Sequence, residues 1–165
     1  MLRYATMPTP TGPFTAVVDD DGAVLASGFT ADAALLVKLI HPELISDLTP
    51  VNDVGPVSRA VQSYMEGDLT AIDDIPVRQK SAGAFITQAW TVMRDIKPGA
   101  PCSYTDFAAM SGRPAAVRGA AQACALNAAA LFVPCHRVLR LGGKLGGYRW
   151  GLPVKQWLLD HEFAA

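Results

Sequence analysis

Cys135 and His136 stand side by side in Val133-Pro134-Cys135-His136-Arg137-Val138, directly after an apolar run that begins at Ala128. A thiol attacks carbon only as the thiolate, and a free cysteine with a pKa of about 8.5 is mostly protonated at neutral pH. Nucleophilic chemistry at Cys135 therefore needs a base, a cation or a helix N-terminus beside it. On an extended segment adjacent side chains point to opposite faces, so His136 is expected to reach the thiol through a water rather than directly. The dipeptide alone leaves two readings open. Free cysteine is among the most buried residue types and often serves as a small core hydrophobe.

The elements that must hold these residues follow from the pattern of the second half. Residues 85–96 read as an amphipathic helix with Phe85, Ala89, Val92 and Met93 on one face, stopped by Lys97-Pro98-Gly99. Ser103, with Asp106 three residues later, resembles a capping arrangement for a short helix ending at Met110. Ser111-Gly112-Arg113-Pro114 breaks the chain and residues 115–126 resume as a helix, a helix-turn-helix signal. This second helix carries almost nothing large except Arg118. Such a helix suits close approach to a narrow groove, with its one long cation inserted into the base stack. A core helix with a snorkelling arginine has the same composition. Residues 142–151 read as a mobile glycine loop whose Tyr148 and Trp150 suit a lid over a planar ligand. The loop does not run from a strand into a helix, as the phosphate-binding glycine motif does. Residues 153–163 form a closing helix with Pro153 in its first turn.

The first half reads as a small α+β unit without a catalytic constellation. Residues 2–7 form a strand, and strands at 14–18 and 23–29 flank Asp19-Asp20-Asp21-Gly22 as a hairpin. Residues 31–40 and 57–65 are helical, the latter with Val57, Ala60, Val61 and Tyr64 on one face, and residues 75–77 add a strand. His41, before Pro42, reads as a surface or capping histidine.

Charge is distributed unevenly. Residues 1–82 carry five basic side chains against eleven acidic ones, a balance of -6. Residues 83–165 carry nine against four, a balance of +5. A basic second half suits a polyanionic partner, and two lobes that attract one another would show the same asymmetry. The three cysteines, Cys102, Cys124 and Cys135, are odd in number without CxxC spacing, so neither a zinc site nor a disulfide framework is expected. The N-terminal residues lack a signal-peptide core and no run reaches membrane-spanning length, which predicts a cytoplasmic protein with no membrane association.

Taken together, residues 80–163 resemble the O6-alkylguanine-DNA alkyltransferase family, the methylated-DNA–protein-cysteine methyltransferases. Pro134-Cys135-His136-Arg137-Val138 looks like the family's acceptor motif, and Ala116-Val117-Arg118-Gly119-Ala120 falls at its recognition helix. Arg118 lies seventeen residues before Cys135, the spacing of the arginine finger, and Asn127 lies eight before it, at the hinge asparagine. Ser103-Tyr104 matches the start of the first helix of the motif. Gly147-Tyr148-Arg149-Trp150-Gly151 is similar to the lid of bacterial adaptive-response members. Val154-Lys155-Gln156-Trp157-Leu158-Leu159 with His161-Glu162 looks like the helix that supplies a buried glutamate.

The resemblance implies an α+β fold, with a small ribonuclease-H-like α/β domain at residues 1–79. A mostly helical, winged helix-turn-helix-like domain at 80–165 would bind DNA and accept the alkyl group. Catalysis would fall to Cys135 as acceptor, His136 as base through a water, Glu162 as its orienter, Asn127, and Tyr104, which neutralises the leaving guanine. Arg118, Ala116, Val117, Gly119, Ala121 and Ser103 would contact DNA. Val138, Tyr148, Arg149 and Trp150 would form the alkylguanine pocket. The partner is double-stranded DNA containing O6-alkylguanine, bound in the minor groove by a monomer, with cooperative binding along DNA open. No cofactor and no metal are implied.

Two positions depart from the family pattern. Arg149 stands where many members carry a serine that bonds O6, and is expected to contact a phosphate instead. Ala130 replaces a proline that lines the pocket in some members, which opens the range of alkyl groups. The cysteine set of the adaptive-response zinc domain is not among these residues, so transcription activation is not expected. Two rivals are a non-catalytic sensor of alkylated DNA with this fold, against which Cys135 stands, and a cytosolic cysteine hydrolase, which would turn over steadily.

Overall fold

The computed structural model describes residues 1–81 and 83–164; Ala82 and Ala165 lie outside the described residues. Its backbone contacts divide into two units. The first is Met1–Lys80 with Ala128–Phe132, and the second is Ser81–Asn127 with Val133–Ala165.

In the first unit, β-branched and aromatic residues between turns build a sheet. Strands β1 (Leu2–Thr9), β2 (Gly12–Val18) and β3 (Val24–Gly28) form an antiparallel meander. A short β4 (Leu48–Pro50), which the sequence pattern does not announce, pairs parallel to β1 and completes the order β3-β2-β1-β4. At the expected hairpin, Asp19 accepts from the Asp21 and Ala23 amides through its side chain, which sets the turn. The strand expected at 75–77 shrinks to one bridge between Val24 and Val77, because Pro76 has no N–H to extend a ladder. Helix α1 (Ala33–Val37) is shorter than expected, since the Asp32 side chain already caps it by accepting from Ala34 N at 3.0 Å. Helix α2 (Pro56–Met65) starts on proline and buries Val57, Ala60, Val61 and Tyr64. His41 caps a 3-10 turn over Pro42–Leu44, accepting from Glu43 N.

Residues 128–130 run beside β3. Ser27 N–H donates to Ala128 O, Ala130 N–H to Ser27 O, and the Ser27 hydroxyl to Ala130 O at 2.7 Å. Leu131 then adopts φ 76°, unique among the described non-glycine residues.

The second unit is helical. Helix α3 (Ala84–Met93) buries Ile86, Ala89, Trp90 and Met93 rather than the face centred on Phe85 and Val92, which are half-buried. The i, i+3, i+4, i+7 spacing of those four residues is the full apolar stripe. The Trp90 indole fixes its direction by donating to Ala123 O of α5 at 2.9 Å. Helices α4 (Tyr104–Met110) and α5 (Val117–Leu126) follow, then α6 (Leu152–Ala164). A two-residue parallel ladder, β5 (Cys102–Ser103) against β6 (Val138–Leu139), joins the start of α4 to the segment after Cys135. Among the described residues no helix is long and apolar enough to cross a membrane.

Candidate active site

The nucleophile candidate does not lie on an extended strand. Pro134 has φ -82° and ψ 66°, and Cys135 N–H donates to Val133 O at 2.8 Å, an inverse γ-turn. Cys135–Arg137 then form one 3-10 turn before β6 begins. The expectation of opposite faces is therefore corrected, because the proline's fixed φ starts a turn rather than a strand. Cys135 keeps partial exposure while His136 and Arg137 are buried.

Glu162, 3% exposed on α6, is the hub beneath this turn. Its Oε2 meets His136 Nε2 at 2.8 Å. Arg137 donates to it twice, from Nε to Oε1 at 2.9 Å and from Nη2 to Oε2 at 2.8 Å. The third Arg137 bond runs from Nη1 to Ile96 O at 2.7 Å. Burial pushes the Glu162 carboxyl up, but the hydrogen bonds of His136 and Arg137 and the Arg137 charge outweigh it and hold the group well below the usual carboxylate range. Glu162 is thus ionised and can only accept. It follows that Nε2 of His136 carries the proton and Nδ1 carries the lone pair. Nδ1 is buried, with no hydrogen-bond partner among the described residues. Burial lowers the His136 pKa despite Glu162, so the ring is neutral at physiological pH and can take a proton.

Around the thiol, burial raises the Cys135 pKa. A hydrogen bond from the Asn127 side chain, then the charges of Lys155 and Arg149, oppose it. Asn127, buried at the end of α5, also donates through Nδ2 to Val133 O at 2.8 Å, which fixes its amide. Ser103 caps α4 by accepting from Asp106 N at 3.0 Å, so its hydroxyl has a structural duty. Directly after it, Tyr104 is pushed up to about 12, by burial first and then by the thiols of Cys124 and Cys135. A phenol that keeps its proton is a donor at neutral pH.

The loop over residues 142–151 is held from two sides. Lys155, with no exposed surface, spends its three N–H donors on Val138 O at 3.0 Å, Leu145 O at 2.5 Å and Gly147 O at 3.2 Å. Arg149 donates to Asn127 O at 2.9 Å and to Ala125 O. The guanidinium expected at a phosphate thus lies on carbonyls at the negative end of a helix. Gly146, at φ 70°, passes so close to Tyr104 that an added Cβ would sit 3.3 Å from its ring and hydroxyl. Tyr148 and Trp150 are half-buried in the same loop.

On the helix-turn-helix, Arg118, Val117 and Ala121 are exposed and Ala116 caps α5 half-buried. Gly119 is different. A Cβ there would meet the Phe85 ring at 3.0 Å, so its small size serves α3–α5 packing. Missed from sequence were Arg137 and Lys155, both buried and both bonded into the site. Their signal lay in spacing: Lys155, Leu158 and Glu162 share the buried face of α6. Among the described residues no cluster of three or more potential ligands is placed to hold a metal.

Comparison with known proteins agrees with this geometry. Residues 84–164 match the family model described as 6-O-methylguanine DNA methyltransferase, DNA binding domain. The methylated-DNA–protein-cysteine methyltransferase of Shigella flexneri is 32% identical over 161 residues, covering 93% of this chain and 91% of that protein. The bifunctional transcriptional activator/DNA repair enzyme Ada of Escherichia coli is 38% identical over 137 residues. That match covers 78% of this chain, which spans only 39% of the length of Ada. Among solved structures, Mycobacterium tuberculosis OGT in complex with DNA superposes with a TM-score of 0.82 at 26% identity, covering 98% of this chain and 93% of that one. The chain belongs to the methylated-DNA–protein-cysteine methyltransferase family.

Proposed function

We propose that this protein repairs DNA by direct reversal, moving the alkyl group of O6-alkylguanine, and of O4-alkylthymine, onto its own Cys135. Residues 80–165 act as the DNA-binding and alkyl-acceptor domain, with 1–79 an accompanying α/β domain. The protein works as a monomer from the minor groove of double-stranded DNA in the cytoplasm, where free thiols such as its three cysteines persist. The observation that carries the reading is the contact of Glu162 with His136 Nε2 at 2.8 Å, which leaves the buried Nδ1 as the acceptor on the residue that follows Cys135.

The target carbon lies inside the duplex, so the nucleotide is extruded first, at a cost of a few kcal/mol. Arg118 fills the gap in the stack. His136 Nδ1 takes the thiol proton, relayed by a water, and the thiolate displaces the O6 oxygen in line. The new C–S bond forms as the C–O bond breaks, the electron pair passes to the guanine, and the Tyr104 hydroxyl neutralises the developing anion. Val138, Tyr148 and Trp150 enclose the base. A thioether is not hydrolysed under these conditions, so each molecule acts once.

Incubation with a duplex bearing O6-methylguanine is expected to add the mass of one methylene to the Cys135 peptide, with product never exceeding protein. Steady turnover would point to a hydrolase, and no mass gain at protein excess would refute the proposal. Arg118→Ala is expected to slow reaction with duplex more than with the free modified base. Equal slowing on the two substrates would remove the finger role.

A further inference from the structure

The C-terminal end of α5 lacks the usual means of satisfying its carbonyls. Asn127 follows the helix at φ -62° and ψ 118°, so no left-handed cap forms. The last turn holds no basic residue, which leaves the negative end of the helix dipole uncompensated from within. Ala123 O receives the Trp90 indole N–H and Cys124 O the Asn127 N–H. The next partners come from the lid: Arg149 reaches Ala125 O with Nη2 and Asn127 O with Nη1. An arginine suits this place because its rigid fork spans two acceptors, whereas an ammonium is a single point charge. The same Asn127 turns its side chain to Val133 O and to the Cys135 thiol. On its other flank the lid is gripped by Lys155 through Leu145 O and Gly147 O. One exposed arginine therefore joins the lid, the end of the helix that carries Arg118, and the residue that holds the nucleophile.

We propose that Arg149 is a positioning residue that latches the lid to the C-terminal end of α5 and so governs capture of the extruded base, touching neither the reacting atoms nor a phosphate. The inference rests on the alkyl-transfer reading above and deepens it. The two carbonyl bonds occupy two of the five guanidinium N–H groups, so the latch and the phosphate contact expected from the family pattern are told apart by what each predicts for lid order and for DNA affinity.

The test compares wild-type protein with Arg149→Ala and Arg149→Lys. Methylene gain by the wild type checks the alkyl-transfer reading on its own. Amide hydrogen exchange at residues 145–148 checks the latch whether or not transfer occurs, and it is expected to speed up in Arg149→Ala. Single-turnover rates on free O6-methylguanine and on the modified duplex are both expected to fall by about tenfold or more, the scale of lost hydrogen bonds to a charged group. Affinity for undamaged duplex and its salt dependence are expected to stay unchanged, and Arg149→Lys to recover part of the rate. A weaker grip on undamaged duplex with a salt slope smaller by about one would instead mark a phosphate contact and overturn the latch. Unchanged exchange and rates would overturn it too. So would uniform loss of rate, DNA affinity and melting temperature, which marks a helix cap and nothing more.

Discussion

Replacing Glu162 with glutamine is expected to abolish most alkyl transfer and to destabilise the protein, for two separable reasons. The carboxylate is the acceptor that obliges His136 to keep its proton on Nε2. An amide can present its NH2 to the ring and favour the other tautomer, which removes the Nδ1 lone pair from the thiol side. Loss of a general base costs about 10²–10⁴ in rate, and the single-turnover rate constant should fall within that range. The carboxylate is also the counter-charge of Arg137, which is 2% exposed. Breaking a buried pair from one side costs about 3–5 kcal/mol, because the remaining charge is stranded. Chemical denaturation should show that loss. The pair Arg137→Met with Glu162→Leu separates the two effects. Apolar residues of similar volume often match or exceed the stability of a buried ion pair. The double variant is therefore expected to regain stability and stay inactive. A double variant that repairs DNA at the wild-type rate would show that His136 needs no orienting carboxylate.

The same cluster sets the direction of the pH response. Glu162 ionises in the folded state well below its ordinary range, so its stabilisation is full above the unfolded value of about 4.3 and is lost as pH falls through the folded value. His136 is held neutral by burial, so below about pH 6.5 the unfolded chain binds a proton that the folded one refuses. Both groups make stability fall toward acid, His136 first. The acid limb of the rate profile should correspondingly lie below the ordinary imidazole range, a shift that single-turnover rates across pH would measure.

Chemistry was more legible in the sequence than placement. Cys135 and His136 stood out by residue type, and the family resemblance added Asn127, Tyr104 and Glu162; Glu162 bonds the histidine of that turn and Asn127 the thiol. Arg137 and Lys155 escaped because long charged side chains default to solvent, and burial is decided by partners remote in sequence. Glu162 lies 25 residues from Arg137. The Lys155 acceptors are backbone carbonyls, which every residue carries and which leave no mark in sequence. Gly119 was ambiguous for a similar reason. A missing side chain serves a groove or a neighbouring ring equally well, and the nearness of Phe85 shows a packing need that the sequence could not. In the first unit the hairpin was plain from Asp19 to Gly22, yet nothing in the apolar run after Asn127 announced that Ala128 and Ala130 would bond to Ser27.

Lys155→Met is the second change expected to have a large effect. Methionine keeps the length and flexibility of the lysine stem, so packing along α6 changes little. What disappears is an ammonium whose three N–H groups each meet a carbonyl. A carbonyl left buried without a partner costs about 1–3 kcal/mol, a penalty that falls in full on Val138 O and in part on the half-buried carbonyls of the lid. Opening the lid to water is the cheaper response, because only the carbonyls of Leu145 and Gly147 need to move while Val138 stays in β6. The variant is therefore expected to lose about 3 kcal/mol of stability or less, to exchange the lid amides freely, and to react slowly with free base and duplex alike. The Cys135 pKa should rise as well, since the Lys155 charge is among the influences that lower it. That rise gives a readout that lid opening alone does not supply. Thiol titration with a small alkylating reagent should move to higher pH in Lys155→Met and stay in place in Arg118→Ala. An unshifted titration in the methionine variant would confine Lys155 to holding the lid.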